Sequence, residues 1–205
     1  MKIWPEPLPA QEVYKLLTGV IVPRPIAWVT TRSRDGVINL APFSCFTFVS
    51  TKPPMVGINV GLRDGQIKDT AANISDTGEF VVNIADETMI EQIHRSAIAY
   101  PPEVSEVEVL GLKLAPSETV AVPRLADTPV SLECRLHQTL DFGDTGAKFI
   151  VGEVLLFHVR DGLSENCKVD TKKLRPVCRV AGPNYANLGD IISMQHVGDV
   201  RTGPG

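Results

Sequence analysis

The hydrophobic positions of the chain fall into short apolar runs bounded by glycine, proline and charged residues. Runs of this kind predict β-strands. The alternation of apolar and polar residues in PVSLECRLHQTL is typical of a strand with one exposed face. The segment AKFIVGEVLLFHVRDG is apolar at both parities, which predicts burial on both faces. We also predict strands in VIVPRPIAWVTT, VINLAPFSCFTFVS, MVGINV and EFVVNIA.

Turn and helix signals separate these runs. Asp35-Gly36 predicts a hairpin that returns the chain. Pro42, in the returning strand, predicts a bulge or bend because proline has no N–H to donate to a sheet. Helical spacing of apolar residues predicts a short helix over 9–19. A second helix is predicted in the latter half of GLRDGQIKDTAANISDTG, which ends at Gly78, and a third from Asp86 to about Arg95.

The order of these elements predicts the fold class. Strands outnumber helices, connections are short and no regular βαβ alternation occurs, which favours a mainly β protein, an antiparallel barrel with two or three flanking helices. Residues 1–205 are predicted to form a single domain. Within it, residues 96–126 are rich in Pro, Val and Glu without clear periodicity, so they are interpreted as an irregular excursion with short strands.

Composition excludes several classes of function. A net charge of −4 argues against nonspecific nucleic-acid binding. No apolar run approaches the length of a membrane span, and the N-terminus lacks the apolar region of a signal peptide. The histidines, His196 among them, and the cysteines show no metal-binding spacing. We therefore expect a cytoplasmic protein with no membrane association and no metal, whose cysteines are reduced, buried thiols: Cys45, Cys134, Cys167 and Cys178.

The segment GLRDGQIKDTAAN carries the first candidate for a binding site. A glycine-rich loop runs into a helix whose first residues are Lys68, Asp69 and Thr70. A helix N-terminus offers unpaired N–H groups and the positive end of the helix dipole, so it suits a phosphate. Lys68 and Arg63 would add charge, and Thr70 a hydroxyl. The alternative is that Asp69 or Thr70 only caps the helix.

The segment NLAPFSCF is the second candidate. Ser44, Cys45 and Thr47 alternate with phenylalanines, and apolar walls with a few polar groups are typical of pockets for flat heteroaromatic rings. The alternative is that Ser and Thr occupy the outer face of an ordinary strand. Cys45 has no basic neighbour in sequence to lower its pKa, so we do not interpret it as a nucleophile. Tyr185, in AGPNYANLG, covers a ligand or anchors its loop, and His94 is interpreted as a helix-surface residue.

Three segments in one order resemble a known family. RPIAWVTT…DG…NLAPFSCF…VS…PP, then R…KDTAANI…GEFVVNI, then RVAGPNYANLG are together similar to the flavin reductase-like, FMN-binding split-barrel family, specifically its flavoredoxin-like branch. The resemblance covers roughly residues 15 to 195. It implies a Greek-key split β-barrel, a homodimer, and one FMN per subunit near the dimer interface.

The resemblance also implies residue roles. It sets the isoalloxazine ring against NLAPFSCF, with backbone groups at its polar edge. It makes Thr30 a ribityl or phosphate contact and brings Tyr185 near the flavin, although Ala181 stands where a glycine is frequent. The phosphate would bind at Arg63, Lys68, Asp69 and Thr70. The implied ring contacts are Asn39, Leu40, Ala41, Pro42, Phe43, Ser44 and Cys45.

Three hypotheses for function follow from the resemblance. In the first, NADH or NADPH passes a hydride to the flavin, which passes electrons onward, and no protein acid or base is required, so no catalytic residue is assigned. In the second, the protein is an electron carrier reduced by another protein. In the third, the barrel binds no flavin and serves only in assembly, which the intact KDT and Arg63 argue against. A redox protein or an oxygenase is the candidate partner.

Overall fold

The structure is a computed structural model, and it describes residues 1–194. Its strands are β1 (Arg24–Pro25), β2 (Ala27–Arg32), β3 (Ile38–Phe43), β4 (Phe46–Thr51), β5 (Pro54–Val60), β6 (Glu79–Ile84), β7 (Leu114–Ala115), β8 (Arg124–Leu125), β9 (Val130–Asp141), β10 (Lys148–Val159), β11 (Ser164–Glu165), β12 (Lys168–Val169), β13 (Val177–Arg179) and β14 (Tyr185–Asn187). Seven of them form one sheet in the order β3-β2-β6-β9-β10-β5-β4. Every neighbouring pair in this sheet is antiparallel. The predicted mainly β architecture is confirmed.

Helices flank this sheet. The longer ones are α1 (Ala10–Val20), α2 (Asp69–Thr77) and α3 (Ile90–Arg95), and single turns form α4 (Glu106–Val109) and α5 (Thr171–Leu174). A 3₁₀ turn over Glu87–Met89 precedes α3, and Asp86 caps this turn by accepting a hydrogen bond from the Thr88 N–H, as predicted. No helix within residues 1–194 is long and apolar enough to cross a membrane.

The predicted strand VINLAPFSCFTFVS is two strands. The chain bends at Ser44–Cys45, so that β3 and β4 lie at opposite ends of the sheet order. The predicted hairpin at Asp35-Gly36 is confirmed, since β2 and β3 pair across it. Pro42 was predicted to mark a bulge or a bend. It forms no bulge, because it pairs with Trp28 in regular register, and the bend follows two residues later at Ser44–Cys45. Proline fits there because β3 is an edge strand that pairs only with β2, so the missing N–H is not needed on its open side.

The sheet is buried on both faces over much of its length. Ala27 and Val29 on β2 pack into the barrel interior, while Trp28 between them packs against Ile93 and Val107 on the outside. Excursion residues therefore cover part of the outer face. This second layer explains why β2 carries almost no exposed residue.

The covering layer corrects the prediction for PVSLECRLHQTL. Ser131 and Glu133, expected on an exposed face, are 1% and 0% exposed. The Glu133 carboxylate accepts hydrogen bonds from the N–H groups of Glu118 and Thr119, at 2.8 and 2.6 Å, and from the Thr119 hydroxyl and His158. This carboxylate ties the excursion to β9. The prediction that AKFIVGEVLLFHVRDG is buried on both faces is also wrong in part, because Phe157 on β10 is 55% exposed.

The cysteines differ from the prediction as well. Cys134 and Cys178 are buried, whereas Cys45 and Cys167 are exposed, and all four are free thiols. Cys45 is exposed because it lies at the bend between β3 and β4. His196 and the end of the predicted domain 1–205 lie outside the described residues.

Candidate functional site

The N-terminus of α2 is open to a ligand. The preceding loop folds back on itself, with hydrogen bonds of 2.9 and 2.8 Å exchanged between the backbones of Arg63 and Gln66. The loop delivers Lys68 as the N-cap residue, and no side chain caps the helix there. The alternative of capping by Asp69 or Thr70 is therefore wrong. Ala71 and Ala72 donate to the Lys68 carbonyl, while the N–H groups of the preceding two residues have no helical partner.

Two cations lie at this N-terminus. Burial, and after it the charge of Arg63, lowers the pKa of Lys68. Within residues 1–194, neither cation has a carboxylate within 4.0 Å. Two like charges near an uncapped helix N-terminus are destabilising unless an anion joins them. The arrangement fits a phosphate group.

A cavity opens between α2, β3 and the excursion, and we call it the α2 cavity. The predicted residues that line it are Asn39, Ala41, Pro42, Phe43, Arg63, Lys68, Asp69 and Thr70. Ser96, Ala97 and Glu106 complete the lining. The two candidate segments of the sequence, NLAPFSCF and RDGQIKDT, therefore contribute to one site.

Hydrogen bonds fix the two segments to each other. The Asn39 amide donates to the Thr70 hydroxyl at 3.0 Å and to the Thr31 hydroxyl at 3.3 Å. Asn73, also on α2, donates to Thr31 at 3.1 Å. All of these side chains are buried. The network holds the start of α2 against β3, so the Thr70 hydroxyl is positioned before any ligand arrives.

Glu106 is a residue of the α2 cavity that the sequence did not indicate. Its carboxylate accepts a 2.8 Å hydrogen bond from the Leu40 N–H, on the outer edge of β3. Burial raises the pKa of Glu106, with the charge of Asp69 acting in the same direction, although hydrogen bonding and Arg63 oppose the rise. Glu106 therefore replaces a missing strand partner for β3.

A second cavity of about 350 Å³ adjoins the first, and we call it the Tyr185 cavity. Pro42 and Ala97 line both cavities. The other lining residues are Tyr14, Thr18, Arg24, Ile26, Ser44, Arg179, Gly182 and Tyr185. Of the predicted residues, Pro42, Ser44 and Tyr185 lie here.

Tyr185 is held by two neighbours. Its hydroxyl accepts a 2.7 Å hydrogen bond from Arg179 Nη1 and lies 3.2 Å from His94 Nδ1. The Arg179 guanidinium also lies 4.7 Å from the centroid of the Tyr185 ring. Burial raises the pKa of Tyr185, opposed by Arg179. His94 is exposed at the helix surface, as predicted, yet it also contacts Tyr185 edge-on.

Three predicted site residues line neither cavity. Thr30 is fully buried, and its hydroxyl donates to the Pro123 carbonyl at 2.8 Å. The Leu40 side chain is fully buried and its N–H is bound to Glu106. Cys45 is exposed at the bend beyond β3. Ligand contacts for Thr30 and Leu40 are not supported by these placements, because their polar groups already have partners in the chain.

A family model described as a flavin reductase like domain matches residues 20–176. The chain belongs to this family. An uncharacterized protein of Halalkalibacterium halodurans is 45% identical over 199 residues, which is 95% of this chain and 95% of that protein.

Solved structures agree with this assignment. Nitrilotriacetate monooxygenase component B from Bacillus cereus has a TM-score of 0.91 at 37% identity, covering 95% of this chain and 98% of that one. The 2-nitrobenzoate 2-nitroreductase NbaA of Pseudomonas fluorescens has a TM-score of 0.89 at 32% identity, covering 100% of both chains. The fold is the split β-barrel that the resemblance implied.

The residues missed by the sequence analysis have different origins. Arg24 and Arg179 lie in the segments RPIAWVTT and RVAGPNYANLG, so a basic residue in each quoted segment was an available signal. Ala97 and Glu106 come from the excursion, where no motif or periodicity marks them. They reach the site only through tertiary packing.

Proposed function

We propose that this protein binds FMN and transfers electrons from NADH or NADPH through it. The observation that carries the proposal is the uncapped N-terminus of α2 with Arg63 and Lys68 beside it and no carboxylate within 4.0 Å of either cation in residues 1–194. A flavin supplies the hydride and electron chemistry when bound. Membership of the flavin reductase-like family supports a flavin as the ligand.

The chain's own residues bind and orient. Arg63, Lys68 and the first N–H groups of α2 would hold the phosphate, and the Thr70 hydroxyl is already positioned by Asn39. Pro42 and Ser44 would face the ring system from β3 and from the bend after it. None of these residues needs to move a proton in this proposal, which assigns no catalytic acid or base.

The second candidate is a carrier that receives electrons from another protein. The exposed Cys45–Phe48 region beside the Tyr185 cavity favours it, because Phe48 is 75% exposed and offers apolar surface for a partner. The relative named nitrilotriacetate monooxygenase component B is part of a multi-component oxygenase by its name. By analogy, we propose a redox protein or an oxygenase as the partner of this chain.

Anaerobic titration of the FMN-loaded protein tests the proposal and separates the candidates. We expect purified protein to bind FMN and to show the visible absorption bands of a flavin. Loss of these bands on addition of NADH or NADPH would support the reductase. Bands that persist with both nicotinamides but disappear with a reduced redox protein would support the carrier. Protein that does not bind added FMN would contradict both.

A further inference from the structure

The formal charges of the residues that line the α2 cavity cancel. The cations are Arg63 and Lys68, the acids are Asp69 and Glu106, and the other lining residues carry no ionisable side chain. A dianionic phosphate that binds here would therefore add two negative charges to a wall that is already balanced. Because like charges at close quarters repel, binding would be favoured if one of the two acids became neutral.

Glu106 is the acid that is more easily neutralised. It is 6% exposed, whereas Asp69 is half-buried in the first turn of α2, where the positive end of the helix dipole favours a charged carboxylate. Glu106 also begins a helix, but α4 is a single turn and sums few peptide dipoles. Burial raises the pKa of Glu106 and the charge of Asp69 acts in the same direction, although backbone hydrogen bonds and Arg63 oppose the rise. A further negative charge in the cavity would favour the neutral form more.

The hydrogen bonding of Glu106 suits both protonation states. Its Oε2 accepts the 2.8 Å hydrogen bond from the Leu40 N–H. A protonated carboxyl group keeps one carbonyl oxygen as an acceptor, so this bond to β3 is retained when a proton adds to Oε1. The carboxyl group would then carry an O–H donor at the wall of the cavity, and phosphate oxygens are strong acceptors. Protonation thus turns a repulsive neighbour of the phosphate into a hydrogen-bond donor.

We propose that Glu106 takes up a proton when a phosphate binds in the α2 cavity, so that the two binding events reinforce each other. The inference rests on the proposed function, because FMN is the ligand whose phosphate would bind there. The proton comes from the solvent, adds to Oε1 and returns to the solvent when the ligand leaves, and no electron is transferred. By linkage, the affinity for FMN rises as the pH falls, by up to about tenfold per pH unit for one proton taken up.

The other ionisable groups near Glu106 must be separated from it. Arg63 stays charged throughout the accessible pH range. Burial and the charge of Arg63 lower the pKa of Lys68, so an anion would also favour proton uptake by this lysine. Asp69 is the second acid of the cavity, and Glu108 on α4 is exposed. The phosphate itself titrates with a second pKa of about 6. Variants that change one group at a time are therefore required.

Isothermal titration calorimetry with FMN, in phosphate-free buffers of different ionisation enthalpy, measures the protons taken up on binding. Between about pH 5 and pH 8, we expect the wild type to take up at most about one proton, and at least about half of one, more than Glu106→Gln. The amide of this variant is neutral at every pH and still offers an oxygen to the Leu40 N–H. The ratio of the FMN affinities of wild type and variant should fall about tenfold from pH 6 to pH 8, and the titration of the phosphate cancels in this ratio.

Riboflavin is the ligand control, because it lacks the phosphate and should give no difference in proton uptake between the two proteins. Asp69→Asn is the matched variant, since it removes the same charge from the same cavity. It should keep the uptake at a lower pH, because Asp69 no longer raises the pKa of Glu106. Lys68→Arg should also keep the uptake, because arginine remains charged.

Proton uptake that is equal in wild type and Glu106→Gln would overturn the proposal. So would uptake that Asp69→Asn or Lys68→Arg abolishes while Glu106→Gln retains it, since the proton would then belong to that residue. FMN binding with either result would leave the proposed function in place. Protein that binds no FMN at any pH would contradict the proposed function and this inference with it.

Discussion

Lys68 and Arg63 place two positive charges at the uncapped N-terminus of α2. Both are cationic, the charge of Arg63 contributes to the lowered pKa of Lys68, and the helix N-terminus adds a further positive potential. Asp69 and Glu106 line the same cavity but form no ion pair with them within 4.0 Å. A dianionic phosphate would relieve this repulsion, so its removal from the ligand should matter more than any change to the ring.

Lys68→Ala tests this at one side chain. We expect the affinity for FMN to fall about tenfold or more while the affinity for riboflavin stays nearly constant, because only FMN carries the phosphate that the ammonium group binds. Fluorescence titration with each flavin measures both affinities. Lys52→Ala, at an exposed lysine outside both cavities, is the control. Equal losses for the two flavins would indicate that the phosphate binds elsewhere.

Among the elements, the excursion 96–126 adds most to what the sequence predicted. It was predicted as an irregular excursion with short strands, and the structure confirms short strands, β7 and β8, and adds the single-turn helix α4. It covers the outer face of β9, supplies Glu106 to the edge of β3, and brings Ser96 and Ala97 to the site. The Glu133 carboxylate anchors it, since burial by itself would raise the pKa of Glu133 but the hydrogen bonds from Thr119, His158 and Glu118 lower that pKa to about 2.

Glu133→Gln should therefore destabilise the protein by about 1–3 kcal/mol, because the amide donor would face N–H groups that need an acceptor. The folded-state pKa lies below the ordinary glutamate value of 4.5, so this carboxylate stabilises the fold above pH 4.5 and loses that contribution as the pH falls towards about 2. Urea unfolding between pH 7 and pH 2 measures the effect. The wild type should approach the stability of the variant at the acid end.

Glu153→Gln serves as the control for Glu133→Gln. Glu153 lies on the neighbouring strand β10 and pairs with an Arg135 side chain that is 60% exposed. A surface pair of this kind contributes little to stability. A loss in the control as large as that in Glu133→Gln, or a wild type whose advantage persists at pH 2, would contradict the account of the anchor.

For the whole molecule, the exposed apolar residues favour the predicted homodimer. No residue of α1 is buried, even though the helix carries apolar side chains: Leu17 is 50% exposed and Val20 is 74% exposed. Trp4, in the preceding segment, is 75% exposed. Large exposed apolar side chains are typical of a protein–protein interface when they form one surface. A second copy of the chain is the partner that the family resemblance implied.

Size-exclusion chromatography with light scattering should give twice the chain mass of 22.3 kDa. Leu17→Asp should shift the protein towards the monomer, because a buried charge would oppose association at the apolar face. Gln11→Asp, at an exposed polar position of the same helix, should leave the mass unchanged. A stable monomer in the wild type would contradict the predicted homodimer.

The sequence by itself determined most of the strands of the large sheet, the hairpin at Asp35-Gly36 and the two segments that form most of the α2 cavity. These follow from local causes: hydrophobic period, turn chemistry and a loop that runs into a helix N-terminus. Family resemblance added the barrel topology, which local patterns do not specify. The pairing of β3 with Glu106 and the burial of Thr30 had no local signal.

Only the tertiary structure decided the rest. Pro42 was expected to break the ladder, but the edge position of β3 makes its missing N–H harmless. Arg24 and Arg179 are distant in sequence and meet in one cavity because β1 pairs with β13. Long-range strand pairing and the packing of an irregular excursion set such contacts, and neither leaves a periodic trace in the sequence.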